Sequence, residues 1–248
     1  MNPVFTLIDL RRHLRDVATL SFTILLPGAL YLVFGSAQPA SDEPVGSGNV
    51  ATYVMIPMAL YGAVVATMTV GGSVALERFQ GWGRQLALTP LRPVQIIGMK
   101  AAVAVLLATL PVAFVFLLGA VTGAQAPPRV WVLSALACWA GSIVFAFFGL
   151  AVGLAFRTEA ALGAAGGSLV VLGFFGNMFV PLSGVMLEIG RFTPMYGIAA
   201  LARWPLTDGF LTNGQQDPLW LPLVNVGVWS FVFAAAAVAL FRWSAAAR

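Results

Sequence analysis

The chain carries little charge and almost no reactive side chains. Among its 248 residues there is one cysteine, Cys138, one histidine, His13, and one lysine, Lys100. A single cysteine excludes a disulfide within the chain. One cysteine and one histidine cannot build a Cys/His zinc cluster. A Ser-His dyad at membrane depth is excluded too, because His13 stands among arginines near the N-terminus. Lys100 lies between Met99 and Ala101, so there is no Gly-Lys-Ser/Thr phosphate loop and no ATP binding by that route. Asp, Glu, Lys and Arg together make up 9% of the residues, where a soluble domain has about a quarter. Nine acids and thirteen bases cannot coat a globule of this size.

What is there instead is apolar. Hydrophobic residues are 60% of the chain and its mean hydropathy is +0.91, so most of the surface must face lipid. Charge-free runs cover residues 17–41, 44–76, 101–128, 130–156, 160–187 and 218–241. Each exceeds the ~20 residues that a helix needs to cross the hydrocarbon core. The expectation is therefore an all-α membrane protein, a single transmembrane domain of six spans. Pro111, in the middle of the third run, is expected to kink its helix rather than end it.

In residues 1–16, Phe5, Leu7, Ile8 and Leu14 alternate with Asp9, Arg11, Arg12 and Arg15 at roughly helical spacing. This predicts a short amphipathic helix on the membrane surface. Asp9 and Asp16 argue against a cleaved signal peptide, whose leader is basic. With the N-terminus in the cytoplasm, ten bases fall inside and three, Arg129, Arg191 and Arg203, fall outside, where Asp42, Glu43, Glu188, Asp208 and Asp217 also collect. The bias predicts both termini in the cytoplasm. It also explains the net charge of +4 without a nucleic-acid partner.

Two stretches are neither spans nor simple loops. On the outer side, residues 181–205 are broken by Pro181, Gly184, Gly190, Pro194 and Gly197, yet remain too apolar for a free loop. Two short helices dipping into the outer leaflet are expected, with their broken backbone buried in protein. Glu188 and Arg191 stand three apart, a spacing that suits an ion pair. On the inner side, residues 77–93 form a polar island holding Glu77, Arg78, Arg84 and Arg92. Trp82 and Leu86 lie on one helical face, and Thr89-Pro90 and Arg92-Pro93 stop the helix. The positive-inside rule accounts for the arginines but not for Glu77, which calls for a specific basic partner: Arg78, Arg84 or a group on another chain.

The segment "GGSVALERFQGWGRQLALTPLRPVQIIGMKA", residues 71–101, resembles the signature of the permeases of type-2 ATP-binding cassette exporters. Glu77, Arg78, Gly81, Leu86, Thr89, Pro90 and Lys100 match that pattern position by position. "PLSGVMLEIGRFTPMYG", with Ser183, Gly184 and Pro194, is similar to the family's outer hairpin before the last span. The resemblance implies two permeases, identical or sister chains, paired in the plasma membrane. Two copies of a separate cytosolic ATPase subunit would bind the ATP and magnesium, while this chain binds no cofactor and is not itself an enzyme. It implies a coupling helix in residues 77–93 that docks into the ATPase, with Trp82 and Leu86 as apolar anchor and Arg84 paired with an acid there. The outer hairpin, with Pro181, Ser183, Gly184, Glu188, Arg191, Pro194 and Gly197, would act as a gate.

Within such exporters the large soft residues Met55, Met58, Tyr61, Met68, Phe175, Met178 and Phe179 suit a lipophilic substrate such as a drug, an antibiotic or a lipid. The small residues of "GLAVGLAF" and "ALGAAGGSLVVLGFFGN" allow close helix contact at a seam. A polysaccharide or lipid-linked glycan exporter would use the same architecture with a more polar path. An ion-coupled transporter would place ionisable groups at membrane depth, whereas here every charged residue falls at a span end or in a loop.

Overall fold

The computed structural model describes residues 3–79, 93–156 and 158–246. Nine α-helices and one small hairpin account for most of them. Helix α1 is Pro3–Arg15 and α2 is Val17–Tyr31, which continues as one π-helical turn, Leu32–Ser36. Strands β1 (Pro44–Val45) and β2 (Gly48–Asn49) pair antiparallel, and α3 (Val50–Phe79) follows directly. Then come α4 (Pro93–Val121), α5 (Pro128–Phe156), α6 (Glu159–Phe175), α7 (Gly184–Arg191), α8 (Pro194–Thr207) and α9 (Trp220–Ala246).

Five of the described helices are long and apolar enough to cross a membrane: α2 with its π turn, α3, α4, α5 and α9. They share the work unequally. Over its most apolar stretch α3 is 83% buried, whereas none of the others exceeds 39%. Helix α3 is thus the central post, and α2, α4, α5, α6 and α8 pack around it. Leu117, Leu133, Phe231 and Val238 point outward and are exposed, as expected of faces that meet acyl chains.

The expected span over residues 160–187 is helical only to Phe175. At 17 residues and ~1.5 Å per residue, α6 is about 25 Å long, short of the ~30 Å hydrocarbon core. It stops because Gly176 caps it and Asn177 takes a left-handed φ of 56°. The Asn177 side chain then accepts the amide of Leu182 at 2.7 Å, which turns the chain toward α7. Gly-Asn is a helix stop that the residue types themselves announce.

Pro111 does not break α4. It sits where α2, α3 and α4 meet, and a Cβ on Gly62 would lie 2.6 Å from the Pro111 Cβ and 2.9 Å from the Pro27 Cγ. The closest helix contact is between α3 and α5. A Cβ on Gly71 would lie 1.9 Å from the carbonyl oxygen of Ala146, and one on Gly149 would lie 2.0 Å from that of Met68. The small residues at 149–156 are therefore spent inside the chain, holding α5 against α3. Two polar groups bridge this contact: Thr67 donates to the Ser142 carbonyl at 2.6 Å and Cys138 to that of Ile56 at 3.4 Å.

Helix α1 is amphipathic in an inverted sense. Leu7 and Ile8 are exposed and Asp9 is buried. An apolar face turned out and an acid turned in suits a helix lying on lipid.

Candidate functional site

Three regions hold most of the chemistry. The first joins α1 to the ends of α3 and α4 that flank residues 80–92. Lys100 on α4 is 5% exposed, and its Nζ reaches Asp9 Oδ1 on α1 at 2.9 Å and Glu77 Oε2 on α3 at 2.8 Å. Glu77 also accepts from Arg12 Nη1 at 2.7 Å. Among the described residues Glu77 thus finds its bases on α1 and α4. The cluster balances two acids against two bases, which is what makes burial of three of them tolerable. His13 lies beside it. Burial holds its imidazole below its ordinary range; Asp9 is the main opposing influence, and Lys100 and Arg12 add to the effect of burial. His13 is therefore neutral near pH 7. Asp16, at the α1–α2 junction, accepts the amide of Thr19 at 3.2 Å and caps α2. The Thr19 hydroxyl first, and then that amide bond, keep its carboxyl below the usual range.

The second region is a groove of about 840 Å³ between α1, α2, α3 and α6. Arg12, His13, Asp16, Glu77 and Glu159 stand at its polar end, and Phe22, Tyr61, Met68 and Val170 line its length. Three of the hydroxyls in its wall are already engaged. Thr23 donates to the Thr19 carbonyl at 2.7 Å, Thr69 to that of Val65 at 2.9 Å and Ser73 to that of Val70 at 2.8 Å. Each side chain turns back on its own helix, leaving an apolar wall. On the α6 side the groove is floored by Gly163, Gly166 and Gly167, where an added Cβ would meet nothing within 4 Å.

The third region is at the opposite end of the bundle. Residues 181–205 form the two short helices expected, α7 and α8. Ser183 is the N-cap of α7, Gly184 has φ +55° in open space, and Pro194 opens α8. Arg191 is the hub. It binds Glu188 Oε1 at 2.5 Å and Asp217 Oδ1 at 2.5 Å. The Tyr196 hydroxyl donates to the other Asp217 oxygen. Burial, then that bond to Asp217, keeps the Tyr196 phenol protonated far above its ordinary range. The carbonyls at the break between α7 and α8 are satisfied from α9: Asn225 donates to Arg191 O at 2.7 Å and to Thr193 O at 3.0 Å, and Trp229 to Phe192 O at 2.9 Å. Gly197 leaves room for this, since a Cβ there would lie 2.4 Å from Asn225 Oδ1.

The residues singled out in the sequence therefore scatter. Tyr61 and Met68 line the groove. Met55, Met58 and Met178 are in the core, Phe175 is half-buried, and Phe179 packs edge-on against Tyr61 and Phe174. Pro181 lies in the segment between α6 and α7. Gly81, Trp82, Arg84, Leu86, Thr89 and Pro90 lie outside the described residues, and the backbone of Arg78 is in α3. Sequence reasoning did not find Asn225 or Asn49, though an asparagine inside or beside an apolar run was the available signal. Asn49 stitches the start of α3 to the α4–α5 turn. Its Oδ1 accepts from Thr52 N and Gln125 N, each at 3.0 Å, and its Nδ2 donates to Gly123 O at 2.8 Å.

These helices define a multi-pass membrane protein. No family model matches the chain. It is similar to the Bacillus subtilis (strain 168) protein named "Putative transport permease YvfS", with 26% identity over 238 residues that cover 92% of this chain and 91% of that one. A likeness over nearly the whole of both chains supports the type-2 ATP-binding cassette permease family to which residues 71–101 point.

Proposed function

We propose that the chain is the membrane-spanning subunit of an ATP-driven exporter that moves a lipophilic substrate out of the cytoplasm or the inner leaflet. A separate cytosolic ATPase subunit, in two copies, supplies ATP and magnesium chemistry. A second permease, identical or a sister chain, completes the path. Both termini and residues 77–93 face the cytoplasm, and α6 with residues 176–183 makes the sixth crossing. The carrying observation is the groove, open and largely apolar along its length, with the hydroxyls of Thr23, Thr69 and Ser73 turned back on their own helices. A glycan would need free donors and acceptors along that wall, so a drug-like, antibiotic or lipid-like substrate fits better. The cluster of Asp9, Glu77, Lys100 and Arg12 supports coupling, because it ties the surface helix to both ends of the segment proposed to dock on the ATPase.

The bare glycine floor of the groove supports a close partner helix. A Gly166→Cys substitution in a Cys138→Ala background tests this. Oxidation in native membranes should join the chain to a second permease at this position. A chain that stays monomeric under oxidant, with the new thiol shown to be reactive, would contradict pairing across α6.

A further inference from the structure

At the end of the bundle opposite Glu77, one buried cation has no counter-charge. Arg203 on α8 is 4% exposed, and its guanidinium carbon lies 4.7 Å from the centroid of the Tyr53 ring. Among the described residues no carboxylate is within ion-pair reach of it. Asp217 lines the same cavity, but Arg191 holds one of its oxygens and Tyr196 the other. The Tyr53 ring face stabilises a cation but accepts none of the five N–H groups that a guanidinium offers in a planar fork.

Arg203, Tyr53, Trp204 and Thr207 line a small cavity of about 20 Å³. Tyr53 and Thr207, though not Arg203 itself, also line its neighbour, a chamber of about 270 Å³ bounded by Val45, Gly46 and Phe210. One water occupies about 30 Å³ of liquid, so the chamber has room for a phosphoester group. A buried guanidinium with unspent donors beside such a space is suited to two oxygens of one oxyanion.

We propose that Arg203 anchors a phosphate-binding site at this end of the bundle, with Tyr53 as the aromatic face that keeps the guanidinium in place. The ligand is a phosphate group, carried either on a lipid headgroup or on a small soluble molecule. Only the description of this end as extracytoplasmic rests on the transport reading; binding itself does not.

The test uses the purified full-length chain. One arm titrates inorganic phosphate and glycerol 3-phosphate by calorimetry in detergent. The other counts retained phosphatidylglycerol against phosphatidylcholine by native mass spectrometry from nanodiscs. Saturable single-site binding is expected in one arm: the soluble probe if the ligand is a free phosphate, the anionic lipid if it is a headgroup. Arg203→Gln should weaken it by about tenfold or more, and Arg203→Lys, which keeps the charge but loses the fork, by about threefold. Thermal unfolding of both variants shows whether α8 stays seated. The lysine variant decides the matter should the glutamine variant unfold. No saturable binding by the parent chain in either arm, or equal binding by the parent and the folded variants, would overturn the proposal.

Discussion

Replacing Lys100 by methionine will destabilise the bundle by about 3–5 kcal/mol, the cost of removing one partner from a buried charge cluster. Methionine fills a similar space, so little of the loss is packing. What remains is Asp9 and Glu77, 6% exposed each, with the base between them gone. Arg12 cannot serve both, because it already binds Glu77 and lies on the exposed side of the cluster. The second half of the prediction separates charge from shape. Adding Asp9→Leu to Lys100→Met should restore much of the loss, since the Arg12–Glu77 pair is then balanced. Thermal unfolding in detergent measures both. Equal instability of the single and double variants would mean that the charges do not act on one another.

The outer hairpin should fail in the same way when Asp217 is lost. Asp217 is 2% exposed and holds both Arg191 and Tyr196. In Asp217→Ala the phenol of Tyr196 is left buried without its acceptor, and Arg191 keeps only Glu188. The expected cost is about 3 kcal/mol, the low end for a broken buried pair. Glu188→Ala should cost little, because its carboxylate is 61% exposed and an exposed pair contributes little. The contrast is the point: two acids touch the same arginine at the same distance, and burial decides which of them matters. Unfolding midpoints, with proteolysis at the α7–α8 break, read the difference. Comparable losses in the two variants would put the hairpin's stability elsewhere.

Much of the fold was legible because the membrane imposes simple rules. Charge-free runs gave α2, α3, α5 and α9 within about six residues and α4 within eight, and the Pro/Gly breaks of residues 181–205 gave two short helices. Glu77 stood out in sequence because no orientation rule wanted an acid there. Its partners did not stand out. Lys100 is 23 residues away and Arg12 is 65, and only packing brings α1 across the ends of α3 and α4. The length of α6 was misjudged because hydropathy ignores Gly176-Asn177, a stop in backbone geometry rather than in polarity. The glycines at 149 and 153 read as a seam between chains, whereas they face α3 of the same chain. Periodicity shows which residues share a face. It does not show which helix that face meets. In sequence Arg203 reads as one more outer base, since nothing in a string of letters says that Asp217 is already taken.

The central claim is that this chain transports on the energy of a subunit it does not contain. The most direct measurement is ATP hydrolysis by the tagged chain purified in mild detergent from its own membranes, before and after high salt strips peripheral subunits. The account predicts hydrolysis in the intact preparation, carried by a copurified cytosolic ATPase, none in the stripped chain, and recovery when the stripped fraction is returned. Sustained hydrolysis by the stripped chain, or an intact preparation with no nucleotide-binding subunit in it, would contradict the account.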